Sequence, residues 1–179
     1  MWGGEGFVTI EVPESGSEGI MIPVIRAVVR NDDDPDLVLL QRRDIATESV
    51  RGLLEIPGGR WRAGEAPAEA VAREVFEETG IRLTTVDGVS TELIANTAAI
   101  ATVRPLSISV GVDGAFPGVH VVLIASGAGT PRAVPGETAD VRWWNLDDVR
   151  NALADNRSGF VPASYAALSA YVEWVGSTG

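Results

Sequence analysis

Residues 59–81 read GRWRAGEAPAEAVAREVFEETGI, and this stretch decides the reading of the whole chain. It follows the apolar segment Leu53-Leu54-Glu55-Ile56-Pro57-Gly58, passes through a glycine-containing loop and ends at Gly80. Pro67 suits the first helical position and Gly80 the C-terminal stop, so a helix is expected between them. Ala66 falls at the N-cap, where it offers no oxygen to the first free N–H groups. Ala68, Val71, Ala72, Val75 and Phe76 make the expected core-facing arc. Residues three and four apart share a helical face, so Glu74, Glu77 and Glu78 are expected to project together on the other side. Three carboxylates on one face repel unless a cation lies between them, and oxygen-only ligands suit a hard ion such as Mg²⁺ or Mn²⁺. The bland alternative is a solvated helix with an acidic outer face.

The spacing favours the metal site. Gly59, five residues, Glu65, seven residues, then Arg73-Glu74-Val75-Phe76-Glu77-Glu78-Thr79-Gly80-Ile81 resembles the Nudix box at every fixed position. That box runs G-x5-E-x7-R-E-U-x-E-E-x-G-U, with U a bulky apolar residue. Pro57-Gly58 also resembles the family's usual lead into the box. A motif of this length is far more specific than a lone glycine-rich loop.

Composition sets the frame. A chain of 179 residues, 45% hydrophobic and 22% charged, is one globular domain's worth with a sizeable core. It has no run of eighteen apolar residues, so no membrane span is expected, and Met1 to Glu5 has neither the charge nor the apolar stretch of a signal peptide. The chain contains no cysteine, which removes disulfides, thiolate ligands and cysteine nucleophiles. A cytoplasmic location is the default expectation. The net charge is −11, and all fourteen basic residues are arginine. Such a chain is not expected to bind nucleic acid through its backbone, whereas a few arginines can chelate a small polyphosphate bidentately.

Phe7 to Val12 alternates, and Pro13 to Gly19 reads as a linker. Residues 1–19 are expected to form an edge strand or dimer arm, and residues 20–179 the domain. Ile20 to Arg30 and Leu37 to Arg43 read as a hairpin whose tip carries Asp32, Asp33 and Asp34, a polar turn rather than a metal site. Arg42 and Arg43 end the second strand, and Arg51 lies in the loop beyond. With Arg60 and Arg62 they form the local source of positive charge for a polyphosphate. Trp61 is open to two readings, a stacking surface for a base or a loop anchor. Val86 to Ile94 reads as a strand, while 95–104 has no clear pattern. Leu106 to Val112 and Val119 to Ala125 read as a hairpin, in which His120 is a strand residue rather than a catalyst. Ser126 to Ala139 reads as a long loop, Val141 to Trp144 as a last strand, Asn145 as the cap of a helix to Ala154, and Pro162 as the start of a terminal helix. No internal repeat is evident.

The resemblance implies an α/β (α+β) fold of Nudix type: an α/β/α sandwich with a mixed β-sheet and a catalytic loop-helix-loop. It implies metal held by Glu74, Glu77, Glu78 and the Gly58 carbonyl. Glu137, six residues before Trp143, stands where MutT-like members carry a further metal ligand or base. Glu77, Glu78 and Glu137 are all candidate bases. Arg73 is expected to pair with Glu77 one turn on and orient the carboxylates, and Glu65 to be structural or to support the metal ligands from behind. Phe160-Val161-Pro162-Ala163-Ser164 resembles the stretch with which MutT-like enzymes address a purine. Ser164 replaces their asparagine and cannot reproduce its two-edged hydrogen bonding. Arg62 replaces a glutamate often seen in the loop.

The expected activity is Mg²⁺-dependent hydrolysis, with Mn²⁺ as a substitute, of a nucleoside diphosphate linked to another moiety. The substrate candidates are nucleoside triphosphates, ADP-ribose or nucleotide sugars, and dinucleoside polyphosphates. ADP-ribose-type members tend to carry a proline about sixteen residues after the box, counted as part of a motif. Here the nearest is Pro105, twenty-four residues past Ile81. A homodimer is an assembly the resemblance allows. The rival expectation is a catalytically silent domain that senses a nucleotide. The related isopentenyl diphosphate isomerases need a cysteine that this chain lacks.

Overall fold

The computed structural model describes residues 9–12, 16–19, 21–94, 98–111 and 118–178. In chain order the elements are β1 (Thr9–Val12), β2 (Gly16–Gly19), β3 (Ile22–Asn31), β4 (Leu37–Arg43), β5 (Leu54–Glu55), β6 (Gly58–Arg60), α1 (Pro67–Thr79), β7 (Arg82–Val86), β8 (Val89–Ile94), β9 (Ala98–Val103), β10 (Ser107–Val110), β11 (Gly118–Ala128), β12 (Thr138–Asn145), α2 (Leu146–Asp155), a 3₁₀ turn (Arg157–Gly159) and α3 (Pro162–Thr178).

One mixed sheet of order β10-β11-β3-β4-β12 carries β5 on β4, β6 on β3 and β7 on β11. The β11–β3 pairing is parallel and spans ten residue pairs, Gly118↔Ile22 to Gly127↔Asn31. Helices cover both faces. Val71 and Val75 of α1 pack with Ile25, Ala27, Val29, Leu39 and Leu123 on one side. Leu146 and Val149 of α2 and Leu168 and Tyr171 of α3 pack with Val28, Val38, Leu40, Val122 and Phe160 on the other. Strand β3 is therefore buried on alternate sides throughout, which is why its sequence is almost continuously apolar. Each fully buried Val, Leu or Ile contributes about 1.5–3 kcal/mol. The layers are the α/β/α arrangement expected.

The hairpin expected for β3 and β4 is only a tip. The two strands pair at Arg30↔Val38 alone and then splay. The segment 54–60 enters the gap: β5 pairs with Gln41 and Arg42 of β4, and β6 with Val24 to Arg26 of β3. The Ala27 N–H donates to Pro57 O at 3.1 Å between them. The sheet thus opens as a V, and the approach to the box lies in its mouth. At the tip, Asn31 Oδ1 accepts from the N–H groups of Asp33 and Asp34 at 2.8 and 3.1 Å, so the acidic run is the polar turn expected.

Other boundaries move. Residues 16–19 of the expected linker form β2, which pairs with β1, while Phe7, Val8 and residues 13–15 lie outside the described residues. Val86 to Ile94 is not one strand: the Asp87-Gly88 turn divides β7 from β8. Within 95–104, Ala98–Val103 is a strand on β8, and residues 95–97 lie outside the described residues. β10 and β11 form the expected hairpin, whose tip at 112–117 is likewise outside them. The last strand begins at Thr138, so the loop before it is shorter than expected. Asn145 caps α2, its Oδ1 accepting from the Asp147 N–H at 2.9 Å. No described helix is long and apolar enough to cross a membrane.

Candidate active site

Helix α1 starts at Pro67 and ends at Gly80, whose φ of 73° is left-handed and whose N–H donates to Phe76 O. Ala66 offers no side-chain acceptor, yet its own N–H donates to Glu69 Oε2 at 3.2 Å, so half of a capping box remains. The buried side is Pro67, Ala70, Val71, Val75, Glu78 and Thr79. Ala68, Ala72 and Phe76, expected on the core-facing arc, are only partly buried. Phe76 lies instead under guanidinium groups, with the carbons of Arg82 and Arg132 at 4.5 and 5.9 Å from its ring centroid.

The three box glutamates therefore differ sharply in setting. The Glu77 side chain is 50% exposed, that of Glu74 12%, and Glu78 as a residue only 8%. Glu78 Oε2 accepts from Gln41 Nε2 at 2.8 Å and from the Gly58 N–H at 3.0 Å. Burial, then the nearby Glu55 carboxylate, pushes the Glu78 carboxyl up to about 7, against the pull of those donors and of Arg26.

Arg73 is the organiser of the exposed side. Its Nε and Nη2 donate to Glu65 Oε1 and Oε2 at 2.6 and 2.8 Å, and Nη1 reaches Glu74 and, at 3.2 Å, Glu77. Nη2 also donates to Arg60 O at 3.2 Å. The expected Glu77 contact exists, but Glu65 takes the main grip and its carboxyl is held below the usual range by Arg73. Glu65 also accepts from the Arg62 N–H at 3.1 Å, and its carbonyl accepts from Trp61 Nε1 at 3.1 Å. Trp61 packs against the α1-side core, so of its two readings the loop anchor is the one the geometry matches.

Two glycines permit this closeness. Gly58 has φ 142°, and a Cβ there would meet Ile25 O at 2.4 Å. A Cβ on Gly59 would lie 2.5 Å from Glu74 Oε2, so that carboxylate rests directly on the loop backbone.

Among the described residues no three acidic side chains converge on one point at ligand distance. Arg73 draws Glu74 and Glu77 to itself, while Glu78 turns inward to Gln41 and Gly58. The donor set still fits a hard divalent cation. It is all oxygen, and the glycine backbone admits Glu74 where any Cβ would exclude it.

The other expected residues scatter. Glu137 is exposed at the foot of β12; its carbonyl accepts from the Asp44 N–H at 2.9 Å, and its neighbour Thr138 donates through Oγ1 to Glu78 O at 3.0 Å. Arg43 grips Glu48 at 2.6 and 2.9 Å and lies 3.6 Å from Glu55. Arg42 bonds Gly52 O and Asp140, and Arg51 bonds Asp44, both at the surface. Arg60, the last residue of β6, and Arg62, in the loop before the helix, are both exposed. Ser164 is fully buried, its Oγ accepting from the Ile56 N–H at 3.2 Å. A groove bounded by Asp87, Arg104, Pro105, Leu106, Ile124 and Trp174 contains no box residue.

Three residues escaped the sequence reading. Arg26, Gln41 and Glu55 are buried and joined beneath the box: Arg26 Nη1 donates to Glu55 Oε2 at 3.3 Å and to Ile56 O at 2.9 Å, and Gln41 Nε2 to Glu55 Oε1 at 3.2 Å. For Arg26 and Glu55 a signal was available, since a lone polar residue inside an apolar run must find an internal partner.

The NUDIX domain model matches residues 21–163. The sequence is 38% identical to Nudix hydrolase 3 of Caenorhabditis elegans over 68 residues, 38% of this chain and 26% of that protein. The chain thus spans about a quarter of that curated relative's length. Its fold is similar to the Escherichia coli ORF135 protein, with a TM-score of 0.62 at 22% identity over 88% of this chain and 92% of that one. It is similar also to the NUDIX domain of Shewanella oneidensis NrtR, whose cocrystal holds ADP ribose, with a TM-score of 0.62 at 19% identity over 87% and 89%.

Proposed function

The chain belongs to the Nudix family, and on that premise we propose that it is a hydrolase of nucleoside diphosphates linked to another moiety. The products are a nucleoside monophosphate and a phosphorylated remainder, or pyrophosphate. The observation that carries this reading is the grip of Arg73 on Glu65, Glu74 and Glu77 at the loop–helix junction, with Glu78 on the adjoining Gly58 N–H.

Glu74, Glu77, Glu78 and the Gly58 carbonyl would hold Mg²⁺ or Mn²⁺, with Glu137 as a further candidate ligand from the foot of β12. When bound, the cation neutralises the charge that makes a diphosphate resist nucleophiles and acidifies a water. The chain's own residues do the rest. Arg73 keeps two carboxylates in register and ties them through Glu65 to the loop. A general base must meet the water's proton at hydrogen-bond distance. Glu77 and Glu137 are open to solvent and satisfy that on access, whereas Glu78 is enclosed by Gln41 and Gly58. Arg60 and Arg62, on the loop beside the box, supply positive charge for the substrate phosphates.

The test is a panel of nucleoside triphosphates, ADP-ribose, nucleotide sugars and dinucleoside polyphosphates incubated with the protein and Mg²⁺. Release of nucleoside monophosphate from at least one member is expected. Tight binding without turnover across the panel would replace the hydrolase by a nucleotide sensor.

A further inference from the structure

Gln41 occupies an unusual position for an amide: fully buried in β4, between Leu40 and Arg42, with its side chain turned to the α1 side of the sheet. A buried amide costs free energy unless it is bonded, and here its Nε2 does two things at once. It donates to Glu55 Oε1 at 3.2 Å and to Glu78 Oε2 at 2.8 Å, so one NH₂ group stands between two buried carboxylates. Glu55 has cations of its own, Arg26 at 3.3 Å and Arg43 at 3.6 Å. The donors to the Glu78 carboxylate are neutral instead, Gln41 and the Gly58 N–H.

We infer that Gln41 is a positioning residue that clamps the Glu78 carboxylate apart from Glu55 and holds it ready as a cation ligand. The role of Glu78 rests on the Nudix reading above; the clamp itself rests on the hydrogen bonds. An amide is the residue type this task needs. A lysine would neutralise the charge that Glu78 must offer a cation, and a leucine would leave the two carboxylates with no donor between them. The amide donates without adding charge. Its orientation is set by the two carboxylates alone, since its own Oε1 has no protein partner. Groups that orient a ligand from behind in this way typically change metal affinity or activity by about 10- to 100-fold when removed.

The test is Gln41→Met, which keeps length and volume and removes both hydrogen bonds. Mn²⁺ binding to the full chain is titrated by electron paramagnetic resonance without nucleotide, beside metal-free thermal melts. Mn²⁺ affinity is expected to fall about 10- to 100-fold while the metal-free protein still melts cooperatively. Where turnover is measured, kcat should fall with little change in KM. Adding Glu55→Gln to the Gln41→Met variant should restore part of the affinity, because the repulsion being screened is gone. Should Gln41→Met not fold, Gln41→Asn, an amide one methylene too short, is expected to lose affinity in the same way. Wild-type affinity in either folded variant overturns the clamp, as does a wild-type protein that binds no Mn²⁺. Lost affinity in the variant, with no nucleotide hydrolysed by wild type, would sink the hydrolase reading and leave the clamp standing.

Discussion

Arg73 closes on Glu65 with two nitrogens, Nε to Oε1 at 2.6 Å and Nη2 to Oε2 at 2.8 Å. One guanidinium therefore cross-braces helix α1 to the loop before it, and its remaining nitrogen reaches Glu74 and Glu77. Lysine has a single ammonium and cannot span this fork. Both partners are mostly shielded from water, with side chains 17% and 22% exposed. Arg73→Lys is expected to cost about 1–3 kcal/mol in urea unfolding. It should lower kcat more than it raises KM, because the carboxylates lose register while Arg60 and Arg62, the proposed phosphate ligands, stay. Equal stability and equal kcat in the variant would show that the brace is idle.

Glu77 is held only loosely, at 3.2 Å from Arg73 with half of its side chain exposed. Its removal should leave the fold alone. Glu77→Gln is expected to keep the wild-type melting temperature and to lose roughly 100-fold or more in kcat, on the scale of a positioned acid–base or ligand group. Near-normal turnover would take Glu77 out of the site.

The two loop glycines should respond in opposite ways. At Gly58 the backbone sits at φ 142° and a Cβ would strike the Ile25 carbonyl, which cannot move without opening β3. Gly58→Ala is expected to destabilise by roughly 3 kcal/mol, from strain and clash together. At Gly59 the obstacle is the end of the Glu74 side chain, which can swing aside. Gly59→Ala should therefore melt close to wild type while its Mn²⁺ affinity drops about 10-fold. Calorimetry of both variants checks the contrast, and equal destabilisation of the two would refute it.

The helix was legible because its signals are local: Pro67 and Gly80 mark its ends in the sequence itself, and both stand where expected. The splaying of β3 from β4 was not, because it depends on residues 54–60 returning to pair with both strands. Periodicity along either strand carries no trace of a third segment wedged between them. The Asp87-Gly88 turn was a missed local signal, since Asp-Gly is a strong turn mark, here between strands of different sheets. In the site, spacing put Glu74, Glu77 and Glu78 on one open face, whereas Glu78 turns inward to Gln41 and the Gly58 N–H. Helical spacing fixes which residues are neighbours, and only the sheet packed against them decides which are buried. Gln41 was hidden for the same reason, whereas Arg26 and Glu55 stand as lone polar residues in apolar runs and only their partners were hidden.

His120 should give the protein a pH-dependent loss of stability. It lies in β11 opposite Val24 of β3 and Ser109 of β10. Its Nδ1 is buried without a protein partner. Burial, and then the Arg26 charge, pull its imidazole down to about 4. The unfolded chain therefore takes up this proton first as pH falls below about 6.5, and stability drops until the folded pKa is passed. Above pH 6.5 both states are neutral and the group contributes no slope. For a partly buried ring, discounted for solvent screening, the expected loss between pH 6.5 and 4 is about 1–3 kcal/mol. Carboxylates titrate in the lower half of that window, so the quantity to measure is the difference between wild type and His120→Gln in urea unfolding at pH 7, 6 and 5. The two should diverge progressively below pH 6.5, with the wild type losing more. Parallel curves would mean that the ring accepts its proton in the folded state as readily as in the unfolded one.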